Sequence, residues 1–174
     1  MCADSQPSVK LRTASPADVL RIIELERAAA TAAHWREQQY AELFNALSTL
    51  AERLILIAYE PTDQPTEQEQ PSSMLGFLVA RRVASEWELE NIVVTPSARR
   101  MGIGKRLVDA LLTAATQSQS ESMFLEVRES NLAARRLYEK LEFHETGRRK
   151  SYYNDPVEDA VLYRRTLQPA SFSH

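Results

Sequence analysis

Glycine is scarce in this chain, with four among 174 residues. Cysteine is scarcer: Cys2 stands alone, so neither a disulfide framework nor a thiolate metal site can be built. The three histidines, His34, His144 and His174, are scattered without ligand spacing, and no metal is expected. No apolar run reaches the roughly 18 residues of a membrane span. The opening MCADSQPSVK has no apolar core of the kind a signal peptide carries. A formal net charge of −3 supplies no basic excess for phosphate backbones. The expectation from these absences is a cytoplasmic protein with no membrane and no direct nucleic-acid contact, its oligomeric state open between monomer and weak dimer.

What is present suits one globular domain: 44% hydrophobic and 26% charged residues. The domain is placed at 9–167, with tails at 1–8 and 168–174 and a polar, three-proline loop at 61–73 that is expected to be mobile. VKLRTA (9–14) reads as a first strand. Ser15-Pro16 then starts a helix to about Ala33, with Val19, Ile22, Ile23 and Leu25 inward. A second helix is predicted from Trp35 to Leu50. RLILIAYE (53–60), MLGFLVARRV (74–83) and EWELENIVVT (86–95) read as strands, the last two a hairpin about Ala84-Ser85. A helix to Gln117 carries Ile103, Leu107 and Leu111 at i, i+4, i+8. MFLEVR (123–128) is a strand and 131–141 a helix capped by Ser130 or Asn131. A final strand pair is split at Asp155-Pro156. The order β-α-α-β-β-β-α-β-α-β-β describes an α/β fold, a mixed sheet with helices on its faces.

Two of the four glycines stand together in RRMGIGKRL (99–107). Strand, glycine turn and helix form the layout of an anion site, because the first N–H groups of a helix lack internal partners and its dipole is positive there. An isolated tight turn is the other reading of such a pair. A dinucleotide fingerprint would need glycine where Leu107 stands. A P-loop would need Ser or Thr where Arg106 follows Lys105. Neither NAD nor ATP is supported.

The hexad Arg99-Arg100-Met101-Gly102-Ile103-Gly104 resembles the acetyl-CoA pyrophosphate loop of the GCN5-related N-acetyltransferase (GNAT) superfamily. ENIVV before it and LEVRESNLAARRLYEKLEF (125–143) after it are similar to that family's fourth strand, fifth strand and following helix. RRKSYYN (148–154) and EDAVLY (158–163) extend the likeness to the RimI-type ribosomal-protein alanine N-acetyltransferases. His34 replaces the proline usual before the tryptophan, and Glu142 stands where glycine is usual. The resemblance implies a single-domain GNAT fold, with a mostly antiparallel sheet of about seven strands and about four helices.

It also implies site residues. Ile92, Val93 and Val94 would offer main chain to the pantetheine arm of acetyl-CoA. Arg99, Arg100, Met101, Gly102, Ile103, Gly104 and Lys105 would surround its phosphates, and Asn131 would touch it while capping a helix. Glu126 matches the catalytic base and Tyr138 the general acid. Glu88, fourteen residues before Gly102, matches the base of histone-acetylating relatives. Trp35, Tyr152 and Tyr153 fall on the acceptor side. Strict strand alternation would turn Tyr152 and Tyr153 to opposite faces, so that only one meets the acceptor. The residues themselves also admit blander roles: a solvated acidic face of Glu86, Glu88 and Glu90, or a Glu126–Arg128 pair.

The function expected is transfer of acetyl from acetyl-CoA to a protein N-terminal amine, in particular the alanine of a ribosomal protein. A peptide α-amine, with pKa near 8, is roughly one-tenth neutral at pH 7, whereas a lysine needs about 4.6 kcal/mol to deprotonate. A modest base acting through water therefore suffices. The alternatives are a small amine acceptor (polyamine, aminoglycoside or amino acid) and a non-catalytic acyl-CoA sensor.

Overall fold

The computed structural model describes residues 8–29, 32, 35, 37–44, 52–61 and 74–167. Most of the 61–73 loop, His34, residues 45–50 and nearly all of both tails lie outside the described residues. The strands are β1 (Lys10–Thr13), β2 (Glu52–Tyr59), β3 (Met74–Val83), β4 (Glu86–Val94), β5 (Ser122–Arg128), β6 (His144–Asn154) and β7 (Val157–Thr166). They form one seven-stranded sheet in the order β1-β2-β3-β4-β5-β7-β6. Its helices are α1 (Val19–Ala28), α2 (Glu37–Ala41), α3 (Ile103–Gln117) and α4 (Leu132–Lys140).

Every strand pair is antiparallel except β4 with β5. That parallel pair is short: β5 meets only Glu86–Leu89 of β4, and beyond Leu89 no described strand pairs that edge. Main-chain groups left on such an edge need partners. The β3–β4 turn falls at Ala84-Ser85 as the sequence indicates, with Ala84 in the left-handed region at φ 55.

The two faces carry separate cores. Leu107, Val108, Leu111 and Ala115 of α3, all 0% exposed, pack with Trp87, Leu89, Met123 and Leu125 of the sheet and with Tyr138 of α4. On the other face Ile22 and Leu25 of α1 and Tyr40 of α2 meet Ile55, Phe77, Val79 and Val93. Each buried aliphatic side chain contributes about 1.5–3 kcal/mol, so α3 anchors its glycine-rich start firmly to the sheet.

The first helix is shorter than its pattern suggests. A 3₁₀ turn takes Pro16–Asp18, and α1 ends when Ala29 turns extended. Glu26 is buried in place of Val19 and Ile23, which are only half covered. Trp35 precedes α2 instead of opening it. Gly76 has a role that its place in an apolar strand concealed. A Cβ there would stand 2.6 Å from the Val93 carbonyl oxygen, so only glycine lets β3 lie this close to β4.

Candidate active site

A cleft of about 810 Å³ opens on the α1–α2 face of the sheet where β4 and β5 part. Glu88, Leu89 and Glu90 of β4 and Glu126 and Arg128 of β5 form its floor. Trp35 and Gln39 stand along one wall, and Tyr152 to Asp155 of the β6–β7 hairpin along the other.

Strand alternation puts Glu126 there. Leu125 and Val127 enter the α3 core, so Glu126 and Arg128 turn to the opposite face. Glu126 pairs with Arg149 of β6 at 2.9 Å and not with Arg128. The neighbouring Tyr152 is raised in pKa by burial and by the Glu126 carboxylate. Arg128 is itself 6% exposed. Its guanidinium lies 4.1 Å from the centre of the Tyr153 ring, donates to the Asp155 carbonyl at 3.2 Å, and pairs with Glu158 at 3.4 Å. A buried cation needs such partners, and here they fasten the hairpin over the cleft.

Tyr152 and Tyr153 do not face opposite ways. The β6–β7 register slips between Arg149 and Tyr153, and Ser151 takes the left-handed φ of 49. The irregularity breaks the period of two, and both tyrosines line the cleft with rings 5.1 Å apart and nearly perpendicular. Burial raises the Tyr153 phenol to about 12, with Arg128 opposing.

The acidic stripe of β4 is not a solvated face. A register shift between Val79 and Ala80 leaves Glu90 without a partner on β3, which marks it as a bulge. Ahead of it Trp87 and Leu89 face the α3 core; after it Ile92 and Val94 do. Glu88 takes both Nη2 and Nε of Arg81, at 2.5 and 2.6 Å. Glu90 lies between Arg53 at 3.3 Å and Arg81 at 3.5 Å, yet burial outweighs both and raises its pKa. Glu86 lies outside the cleft, paired with Arg164 and Ser122.

Tyr138 sits on the other side of the sheet, 3% exposed, its ring 5.9 Å from Phe143 and 6.2 Å from Tyr163. Burial, with a smaller contribution from the Tyr153 phenol, pushes its pKa up. It is not among the residues lining the cleft. Burial thus favours the neutral phenol of Tyr138.

At the start of α3 the turn passes through left-handed Arg100 (φ 66) and Gly102 (φ 76). The first intrahelical bond there runs from the Arg106 N–H to the Gly102 carbonyl at 3.0 Å, leaving the N–H groups of Ile103, Gly104 and Lys105 without helical partners. Arg99, Arg100, Met101 and Lys105 are exposed around this turn, and Lys105 pairs with Asp109 at 2.6 Å. Gly104 serves packing: a Cβ there would meet Leu137 of α4 at 3.3 Å. Ile92 and Val94 are half buried and Val93 buried, on the stretch of β4 whose far edge β5 leaves unpaired. Asn131 caps α4, its Oδ1 accepting the Ala134 N–H at 3.2 Å. Free helix N–H groups, bare main chain and arginines together could hold a phosphate-bearing ligand.

The profile of the Acetyltransferase (GNAT) family matches residues 19–143. The chain belongs to this family. The [ribosomal protein bS18]-alanine N-acetyltransferase of Escherichia coli (strain K12) is 38% identical to it over 95 residues, 53% of this chain and 64% of that protein. The chain thus spans less than two thirds of that curated relative. The crystal structure of the ribosomal-protein-S18-alanine N-acetyltransferase from Escherichia coli superposes with a TM-score of 0.73 at 26% identity, over 96% of this chain and 99% of the other. NAA60 of Arabidopsis thaliana, in complex with acetyl-CoA, superposes with a TM-score of 0.75 at 17% identity, over 92% and 99%. That second likeness concerns the fold.

One departure from the GNAT pattern has a structural outcome. Glu142, standing where glycine is usual, adopts the left-handed φ of 62 and pairs with Arg165 at 2.9 Å. Among the described residues no cluster of His, Cys, Asp or Glu is arranged to hold a metal, and no helix is long and apolar enough to cross a membrane. Sequence reasoning missed Arg81, Gln39, Arg149 and Asp155 as neighbours of the cleft. Arg149 had a signal, since it shares the RRKSYYN stretch with Tyr152 and Tyr153. Arg81 had none, because its place opposite Glu88 depends on the β3–β4 register.

Proposed function

We propose that the protein is an acetyl-CoA-dependent Nα-acetyltransferase acting on a protein N-terminus, in particular the N-terminal alanine of a ribosomal protein. The observation that carries this is the convergence of Glu126, Trp35, Tyr152 and Tyr153 on one cleft at the point where β4 and β5 part. The named activity of the Escherichia coli relative supports the choice of acceptor.

The free N–H groups at the start of α3, with Arg99, Arg100 and Lys105, would hold the pyrophosphate of acetyl-CoA. The main chain of Ile92, Val93 and Val94 would pair with its pantetheine amides, and Asn131 and Tyr138 would stand at its reacting end. Bound there, acetyl-CoA supplies an acetyl thioester. Trp35, Tyr152 and Tyr153 hold the acceptor backbone so that its amine meets that carbonyl.

Glu126 takes the amine proton through water, and the neutral tenth of an α-amine makes no demand for a strong base. As the new C–N bond forms and the C–S bond breaks, Tyr138 gives its phenolic proton to the leaving sulfur. The proton on Glu126 returns Tyr138 to its neutral form through solvent. Burial keeps Tyr138 protonated until that moment. Glu88, already bonded twice by Arg81, orients the floor and is the weaker candidate for base.

The test is thiol release from acetyl-CoA with two peptides. One has a free N-terminal alanine and no lysine; the other has a blocked N-terminus and one internal lysine. Release with the first alone is expected. Release with neither, but with members of a small-amine panel, would replace the acceptor assignment. Binding of acetyl-CoA without release in any arm would make the protein a sensor.

A further inference from the structure

We propose that Glu26 is a positioning residue of the acceptor site, a buried carboxylate that fixes the Trp35 wall of the cleft relative to its β4 floor. The proposal rests on the acceptor reading above. Glu26 belongs to α1, is 1% exposed, and lies outside the cleft lining. Its Oε1 accepts the main-chain N–H of Trp35 at 2.9 Å. The same oxygen faces the side-chain amide of Asn91 at 3.5 Å.

Those two contacts reach both sides of the site. Trp35 lines the wall, and its ring lies 5.7 Å from Tyr40 of α2. Asn91, 5% exposed, follows the bulged Glu90 on the floor. Among the described residues no cation pairs with Glu26. A carboxylate taken out of water and met only by neutral donors costs several kcal/mol relative to a paired one. Leucine at this place on α1, beside Ile22 and Leu25, would serve packing better. An acceptor oxygen is present here because the Trp35 N–H and the buried Tyr40 phenol beside it both call for one.

The hydrogen bond from Trp35 to Glu26 on α1 sets the distance between the Trp35 ring and Glu126. The consequence is a division of kinetic effects: the acceptor feels a loss of Glu26 more than acetyl-CoA does, whose phosphates are proposed to sit at the start of α3, away from Glu26.

The experiment compares Glu26→Leu, which keeps the volume and removes the acceptor oxygen, with Glu26→Gln, which retains one. In Glu26→Leu the acceptor KM is expected to rise about tenfold, with kcat and the acetyl-CoA KM within about threefold of wild type. Glu26→Gln is expected to stay within about threefold in all three constants. Glu26→Ala, whose space water can enter, replaces Glu26→Leu if that variant does not fold, and the same division is expected of it. Acrylamide quenching gives a readout independent of turnover. Trp87 is 1% exposed, so the accessible tryptophan fluorescence is that of Trp35, and its quenching should increase in Glu26→Leu and not in Glu26→Gln.

Unchanged acceptor KM in Glu26→Leu would overturn the proposal. So would parallel losses for acceptor and acetyl-CoA, which would mark Glu26 as a general support of the fold. If the wild type turns over no peptide, the acceptor reading has failed, and the quenching arm still decides whether Glu26 holds Trp35.

Discussion

Arg149 Nη1 stands 2.9 Å from Glu126 Oε1, so the proposed base is closed by a guanidinium from the opposite wall of the cleft. Arg149 is more than half exposed and its guanidinium lies 5.5 Å from the centre of the Tyr152 ring. At neutral pH most acceptor amines arrive as cations. Arg149 therefore competes with the acceptor for Glu126. Arg149→Met should lower the acceptor KM about threefold at low ionic strength, the scale of an exposed ion pair. The effect should shrink as salt is added. Steady-state kinetics at two salt concentrations measure it, and a raised KM would make Arg149 a part of the acceptor site instead.

Glu126 and Glu88 share a floor but not a state. Glu88 is held by two nitrogens of Arg81, itself anchored by Glu90, whereas the ion pair of Glu126 is with the exposed Arg149, which can leave. Glu126→Gln should lower kcat about 100-fold, the usual weight of a general base. Glu88→Gln keeps an oxygen for Arg81 and should lower kcat no more than about threefold. Reversed magnitudes, measured side by side with the alanine peptide, would transfer the base to Glu88.

Tyr138 allows activity and stability to be separated. None of the described residues bonds its hydroxyl, so Tyr138→Phe leaves the packing against Phe143 and Tyr163 intact. Stability should change by less than about 1 kcal/mol, with acetyl-CoA affinity retained. Turnover should fall about 100-fold. Thermal melting, calorimetric binding and initial rates test the three parts, and unchanged turnover would remove Tyr138 from the mechanism.

The particular residues show which parts of this arrangement a sequence can carry. Ile103, Leu107 and Leu111 announce α3 because helical period and burial agree there. Gly102 and Asn131 are legible because each answers a local backbone need, a left-handed turn or a cap. Tyr152 and Tyr153 defeated the same reasoning. Period two holds only in a regular ladder, and the left-handed Ser151 that breaks it is not glycine, asparagine or aspartate.

Glu26 and Arg81 were hidden for another reason. On a helix, a glutamate next to an arginine reads as the solvent side, and only the approach of Trp35 and Asn91 makes Glu26 interior. The pairing of Arg81 with Glu88 likewise depends on where the β4 bulge falls. Both are consequences of contacts between distant segments, which local pattern does not encode.

Two glycines supply the last prediction, because they are required for different reasons. At Gly102 a built Cβ meets nothing within 4 Å, and only its φ of 76 resists a side chain. Gly102→Ala should cost about 1 kcal/mol, and its methyl would stand in the turn proposed to hold phosphate, so the acetyl-CoA KM should rise. At Gly76 the φ is ordinary, but a Cβ would meet the Val93 carbonyl oxygen at 2.6 Å. Backbone cannot yield as a flexible side chain does, so β3 and β4 must separate, at a cost of about 1–3 kcal/mol. For a chain of this length each kcal/mol lowers Tm by about 2–4 °C. Gly76→Ala should therefore melt lower than Gly102→Ala, while the larger rise in acetyl-CoA KM belongs to Gly102→Ala. If Gly102→Ala binds acetyl-CoA as the wild type does, the phosphates are not held at the α3 turn.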